Sequence, residues 1–355
     1  MSAVDEYSRI RVTLGFAAKN YGFEVVPAFA SEVTITSIAH DVRNVRPGGL
    51  FVPIGHIDRR QLEAARDAGA YAALVSPEFR SEAADLGLPL LVSSANPVAL
   101  GKLACDINAD PSSCVATFAI AGDDDDEIHA NVLRLADFLH MLGNPVGVIS
   151  DAGSTSLQRE LSLQYPLNIA DVQHVLSVCA EDGAAAIVIA LNSATLAKNA
   201  LQSVSIDVLG VEQTQNESNS VAGSDSKSDI ESEDDTKSED NSDTNSDAKS
   251  ESNSESKDAI SNVKVSAKTS SSPLYPAYST GMSFYALRQR YGFSGREHAY
   301  CVTRSAESDE LAELADQIGG NDVQRHLSLS IAMVLAAGVR RGTIKSALRV
   351  SHELH

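Results

Sequence analysis

Hydrophobic residues along this chain fall into two rhythms. Short unbroken apolar runs bounded by turn residues predict buried strands at 50–54, 72–76, 88–92, 114–121, 146–149, 185–191 and 206–211. Between them, apolar positions recur at helical spacing over 60–69, 97–107, 130–142, 169–181 and 196–202, and beyond residue 272 over 326–337 and 342–354. Glycines at 69, 183 and 338 stand where helices should stop. Strand and helix in alternation, with short connections, predict an α/β chain. Its N-terminal layer spans residues 1–112, and a doubly wound parallel sheet follows over 113–211 and 273–355.

The pattern fails at 212–272, where Ser, Asp, Glu, Asn and Lys dominate. So few apolar groups cannot offset the entropy of ordering, and a disordered acidic insert is expected. Residues 212–258 hold fifteen carboxylates and four lysines, so they supply −11 of the formal charge of −20. The remainder is mildly acidic, which argues against nucleic-acid binding, since that needs basic stripes to neutralise phosphates. The longest apolar run, 184–191, is far short of a membrane span, and residues 1–11 lack the apolar core of a signal peptide. Four cysteines without CxxC spacing read as reduced thiols in a cytoplasmic protein. The nine histidines show no metal-ligand spacing, and no metal is expected.

One turn bears on chemistry. After the strand at 114–121, where a nucleotide-binding chain carries a glycine-rich phosphate loop, the sequence reads Gly122, Asp123, Asp124, Asp125, Asp126, Glu127. Five carboxylates repel a triphosphate by several kcal/mol at an intermediate dielectric. They are well suited, however, to capping the first turn of a helix and sitting in its dipole. A cation site on these residues with His129 is the competing reading, opposed by the divergence of consecutive side chains on one turn.

The run Asp41-Val42-Arg43, then Arg46-Pro47-Gly48-Gly49-Leu50-Phe51-Val52-Pro53, Gly55-His56 with Asp58, and Ala68-Gly69-Ala70-Tyr71-Ala72-Ala73-Leu74-Val75 resembles the N-terminal domain of the Mur ligases. The resemblance is strongest to the branch that adds lysine or diaminopimelate to UDP-N-acetylmuramoyl-dipeptide. It extends in order through 97–107, the 114–121 strand, 143–149, 166–183 and 187–196, and resumes at 326–348. It implies a UDP-muramoyl-binding N-terminal domain, with Asp41, Arg43, Gly55, His56 and Asp58 as candidate substrate contacts, and a central domain that uses ATP and magnesium.

The departures fall on the central domain's chemistry. Asp126 and Glu127 stand where the family has its phosphate-loop Lys and magnesium-binding Thr. Ala190 and Ala194 replace the Glu and His of a later motif, and of T-T-P only Pro166 remains, after Gln164 and Tyr165. The acidic insert takes the place of a further segment, and the chain ends at His355 where the family continues into a C-terminal ligase domain, expected here to be absent. The resemblance therefore implies a degenerate ligase without ATP or magnesium. Such a protein acts by binding a UDP-N-acetylmuramoyl-peptide or another peptidoglycan-synthesis protein. The alternative is a working acid–amino-acid ligase completed by a partner chain.

Overall fold

The computed structural model describes residues 11–55, 57–83, 85–94, 96–212, 284–315 and 321–353. The expected insert lies almost wholly outside these residues, as does His56. The architecture is mixed α/β with two largely parallel sheets, as the alternating pattern predicts.

The first sheet contains β1 (Glu24–Val26), β2 (Ser37–Ala39), β3 (Gly49–Phe51), β4 (Ala70–Val75) and β5 (Leu90–Val92) in the order β1-β5-β4-β3-β2. Four of these strands run parallel, and β1 pairs antiparallel with β5 on one edge. Helices α1 (Leu14–Tyr21) and α4 (Pro97–Ile107) cover one face, where Leu14, Leu50, Leu91 and Leu103 meet. Helices α2 (Arg59–Asp67) and α3 (Arg80–Ala83) cover the other, around Phe51, Leu62 and Leu90.

The second sheet holds β6 (Ala116–Ala121), β7 (Val146–Ile149), β8 (Ser154–Ser156), β9 (Arg159–Leu161), β10 (Ala186–Ala190), β11 (Ser205–Val211) and β12 (Ser294–Val302). Their order is β12-β11-β6-β10-β7-β8-β9, parallel from β12 to β7 and closed by an antiparallel hairpin. Along β10, Ile187 and Ile189 face one core while Ala186, Val188 and Ala190 face the other. Burial on both faces is the physical reason for its unbroken apolar run. Helix α6 (Ile169–Glu181) and α7 (Phe284–Tyr291) pack on the first face. On the second lie α5 (Asp125–Met141), α8 (Ala306–Glu313), α9 (Asn321–Ala336) and α10 (Arg341–Glu353).

The helix expected at 196–202 does not form. Asn199 (φ 63°) and Ser203 (φ 61°) adopt left-handed backbone, which breaks the segment into turns. Those turns let Gln202 sit against α4: a Cβ on Gly101 would lie 2.5 Å from Gln202 Cβ and 3.0 Å from its carbonyl carbon. Alanine would gain about 1 kcal/mol of helix propensity over glycine. Forcing a methyl against backbone costs about 1–3 kcal/mol, so the steric effect wins. Gly101→Ala should lower stability by about 1 kcal/mol in urea titration, and an unchanged or raised midpoint would show that the turn yields.

Candidate functional site

The parallel strands of each sheet end on a common edge, where ligands of open α/β sheets bind. On the first sheet, Asp41 follows β2, and Gly55 and Asp58 follow β3. Asp41 accepts from the Arg43 backbone N–H at 2.9 Å and from Arg43 Nε at 3.0 and 3.1 Å and Nη2 at 2.5 Å. The side-chain hydrogen bond from Arg43 holds the Asp41 carboxyl down at about 2. Asp58 caps α2: it accepts from Arg60 N at 3.1 Å, while Gln61 accepts from Asp58 N in a capping box. Gly55 has φ 81°, which favours glycine at the turn between them. The turn at 42–44 packs on α2, so Arg43, Gly55 and Asp58 occupy neighbouring loops.

On the second sheet, a cleft of about 570 Å³ opens at the ends of β6 and β10. It is lined by Gly122 and Asp123 to Asp126, by Asn192 and Ser193, and by Arg290 and Tyr291 of α7. The acidic turn begins α5 five residues before the periodic pattern alone places the helix. Asp124 is its N-cap, and one carboxylate oxygen accepts from both Asp126 N (2.8 Å) and Glu127 N (3.3 Å). The capping expectation therefore holds, and the Asp126 and Glu127 amides are engaged by the chain's own carboxylate. Among the described residues, no group of three or more His, Cys, Asp or Glu converges as metal ligands.

Glu127 does more than favour the helix dipole. Its Oε2 lies 2.5 Å from Arg325 Nη2 and 2.6 Å from His326 Nε2 on α9, and these bonds hold its carboxyl below the usual range. Glu212, which composition assigns to the insert, packs in the body directly after β11, 7% exposed. It accepts from Asn131 Nδ2 at 3.0 Å and lies 3.2 Å from Arg325 Nε. Burial pushes its carboxyl up, against the opposing pull of Arg325.

That shift has a sign. A carboxyl whose folded pKa is raised gives stability below its unfolded value of about 4.5 that is lost as pH rises through the folded value. Glu212→Gln should remove this downward slope, so the variant gains on the wild type as pH climbs from 4.5 toward neutrality. Urea titrations at several pH values check this, and a constant difference would show that Glu212 keeps its unfolded-state pKa.

A second cluster links β7, β10 and α5. Asp151 Oδ1 accepts from Thr195 Oγ1 (2.6 Å), His129 Nε2 (2.9 Å) and Asn192 Nδ2 (3.2 Å). Asp151 N donates to Thr195 Oγ1 at 3.0 Å, and Thr195 N to Asn192 Oδ1 at 2.8 Å. Burial opposes the charge on Asp151, but these bonds outweigh it and lower its pKa. No spacing signal marks His129, Asp151 and Asn192 as partners, because they are brought together only by the sheet.

Neither a family model nor a curated protein sequence matches the chain. Among solved structures it is similar to a UDP-N-acetylmuramoyl-L-alanyl-D-glutamate–2,6-diaminopimelate ligase, at 15% identity and TM-score 0.41, covering 58% of this chain and 41% of that one. It is also similar to MurF from Acinetobacter baumannii (14%, TM-score 0.38, 57% and 40%). A third similar structure is the Thermotoga maritima MurF ligase in complex with ADP (14%, TM-score 0.30, 50% and 37%). The chain spans about two fifths of the length of each. No helix among the described residues is long and apolar enough to cross a membrane.

Proposed function

We propose that this protein is a Mur-ligase-like chain that binds rather than ligates. Its N-terminal loops hold a UDP-N-acetylmuramoyl-peptide, or its surface docks on another peptidoglycan-synthesis protein, without ATP-dependent chemistry at the second sheet. The observation that carries this reading is the self-capped turn. Phosphoryl transfer needs backbone donors, a lysine and a metal aimed at the phosphates. Here the Asp126 and Glu127 amides already bond Asp124, and Glu127 itself is tied to Arg325 and His326. A triphosphate would have to displace a carboxylate from the helix N-terminus and then face the remaining ones.

The N-terminal loops offer a more favourable electrostatic setting. Asp41 engages Nε and Nη2 of Arg43, while the Arg43 side chain stays 75% exposed. A planar guanidinium steadied from one edge still presents donors suited to a diphosphate. Calorimetric titration should give no saturable binding of ATP–magnesium at millimolar concentration, and saturable binding of UDP-N-acetylmuramoyl-dipeptide. Losing a charged hydrogen bond costs about 1.5–3 kcal/mol, so Arg43→Ala should weaken the second ligand by roughly tenfold to a hundredfold with melting unchanged. Saturable ATP binding would overturn the reading at the acidic turn. Failure of the unmutated protein to bind the UDP-sugar would leave the protein partner as the occupant.

A further inference from the structure

His40 stands between the two loops of the N-terminal site and belongs to neither set of candidate contacts. It follows β2 directly, and its Nδ1–H donates to the Val52 carbonyl at 2.6 Å. Val52 N in turn donates to the Ala39 carbonyl at 2.8 Å. The residue that begins the β3 exit loop is thus gripped at its N–H by the last residue of β2 and at its C=O by the first residue of the β2 exit loop. Asp41 and Arg43 are one and three residues past this grip on one side, and Gly55 is three residues past it on the other.

Donating through Nδ1 leaves Nε2 of the neutral ring a bare acceptor, and that atom is buried with no hydrogen-bond partner. Burial also lowers the pKa of the ring. At the start of α6, the Asn168 side chain and the Asp171 charge both act on the ring and oppose that lowering, although they are also bonded to each other and to the helix amides. A half-buried imidazole with one orphaned nitrogen is a poor choice for packing alone, because an unsatisfied buried polar atom destabilises the fold. Its short hydrogen bond is the one to Val52.

We infer that His40 is a positioning residue for the N-terminal ligand site, setting the spacing between the Arg43 loop and the Gly55 loop so that a nucleoside-diphosphate sugar meets both. This inference rests on the proposed binding of a UDP-muramoyl-peptide. His40 acts through Arg43 and its loop and need not touch the ligand. Removing it costs affinity only while Arg43 is there to be misplaced, which makes the two effects non-additive.

The test is a double-mutant cycle, titrating UDP-N-acetylmuramoyl-dipeptide into the full-length protein. His40→Leu should weaken binding about tenfold. His40→Asn, whose amide can donate from nearly the place of Nδ1, should restore most of the loss. In the Arg43→Ala background, His40→Leu should produce no further weakening. The inference is overturned if His40→Leu binds like the wild type, if the two losses add in full, or if His40→Asn is as weak as His40→Leu. Absence of binding by the wild type is a different result, which defeats the ligand reading itself and this inference with it.

Discussion

Arg325→Ala is expected to lower stability by about 3–5 kcal/mol, the usual cost of removing one partner from a buried charge cluster. Arg325 lies between Glu127 at the start of α5 and Glu212 at the end of β11, and its side chain is 15% exposed. Its attraction helps outweigh the desolvation of Glu127 and partly offsets that of Glu212, and without it Glu212 would be left 7% exposed with only the Asn131 amide as a hydrogen-bond partner. His326 can compensate at Glu127, where its Nε2 lies 2.6 Å from Oε2. Lysine should recover only part of the loss, because a single ammonium cannot reach both carboxylates as a planar fork does. Combining Arg325→Met with Glu127→Gln and Glu212→Gln should recover more, since no buried charge is then left unpaired. Urea titration of the four proteins checks the order, and a loss under 1 kcal/mol for Arg325→Ala would show that solvent screens the cluster.

That cluster also marks where sequence reading reached its limit. The buried strands were legible because burial on both faces leaves continuous apolar runs, and 146–149 coincides with β7. Helices α4 and α6 were legible because their apolar spacing is regular, and in the structure Asn96 and Asn168 cap them. The 196–202 stretch has the apolar spacing of a helix, while its left-handed residues and the bonds from Asn199 N and Leu201 N to the Arg290 and Tyr291 carbonyls leave no periodic trace. Strands β1, β8 and β9 are three residues each, too short to show a period.

At the site, local roles were visible and distant ones were not. A carboxylate at the head of a helix is a local signal, so capping by Asp124 could be read from the acidic turn. Glu127 meets residues nearly two hundred positions away, across a segment whose composition disguised Glu212 as part of a solvated tract. Cross-sheet pairing of polar residues has no periodicity, and only the fold reveals it.

Asp151→Ala carries the second large expected effect, about 3 kcal/mol. Asp151 is the shared acceptor for Thr195, Asn192 and His129, and it sits in the loop after β7. Thr195 is fully buried and Asn192 is 5% exposed, so neither donor finds water when the carboxylate is removed. Each buried donor left unsatisfied costs about 1–3 kcal/mol, while His129, more accessible, adds less. Asp151→Asn keeps one oxygen acceptor but loses the charge, and should fall between alanine and wild type. The pH dependence separates this from simple packing loss. The Asp151 carboxyl is held below its ordinary value of 3.8, so its contribution is present above that value and disappears as pH falls through the lower folded pKa. The gap between wild type and Asp151→Asn should therefore be full at neutral pH and close progressively below about pH 4. Denaturant titrations across that range read it directly, and a gap that persists unchanged into acid would mean that Asp151 acts through its shape and not its charge.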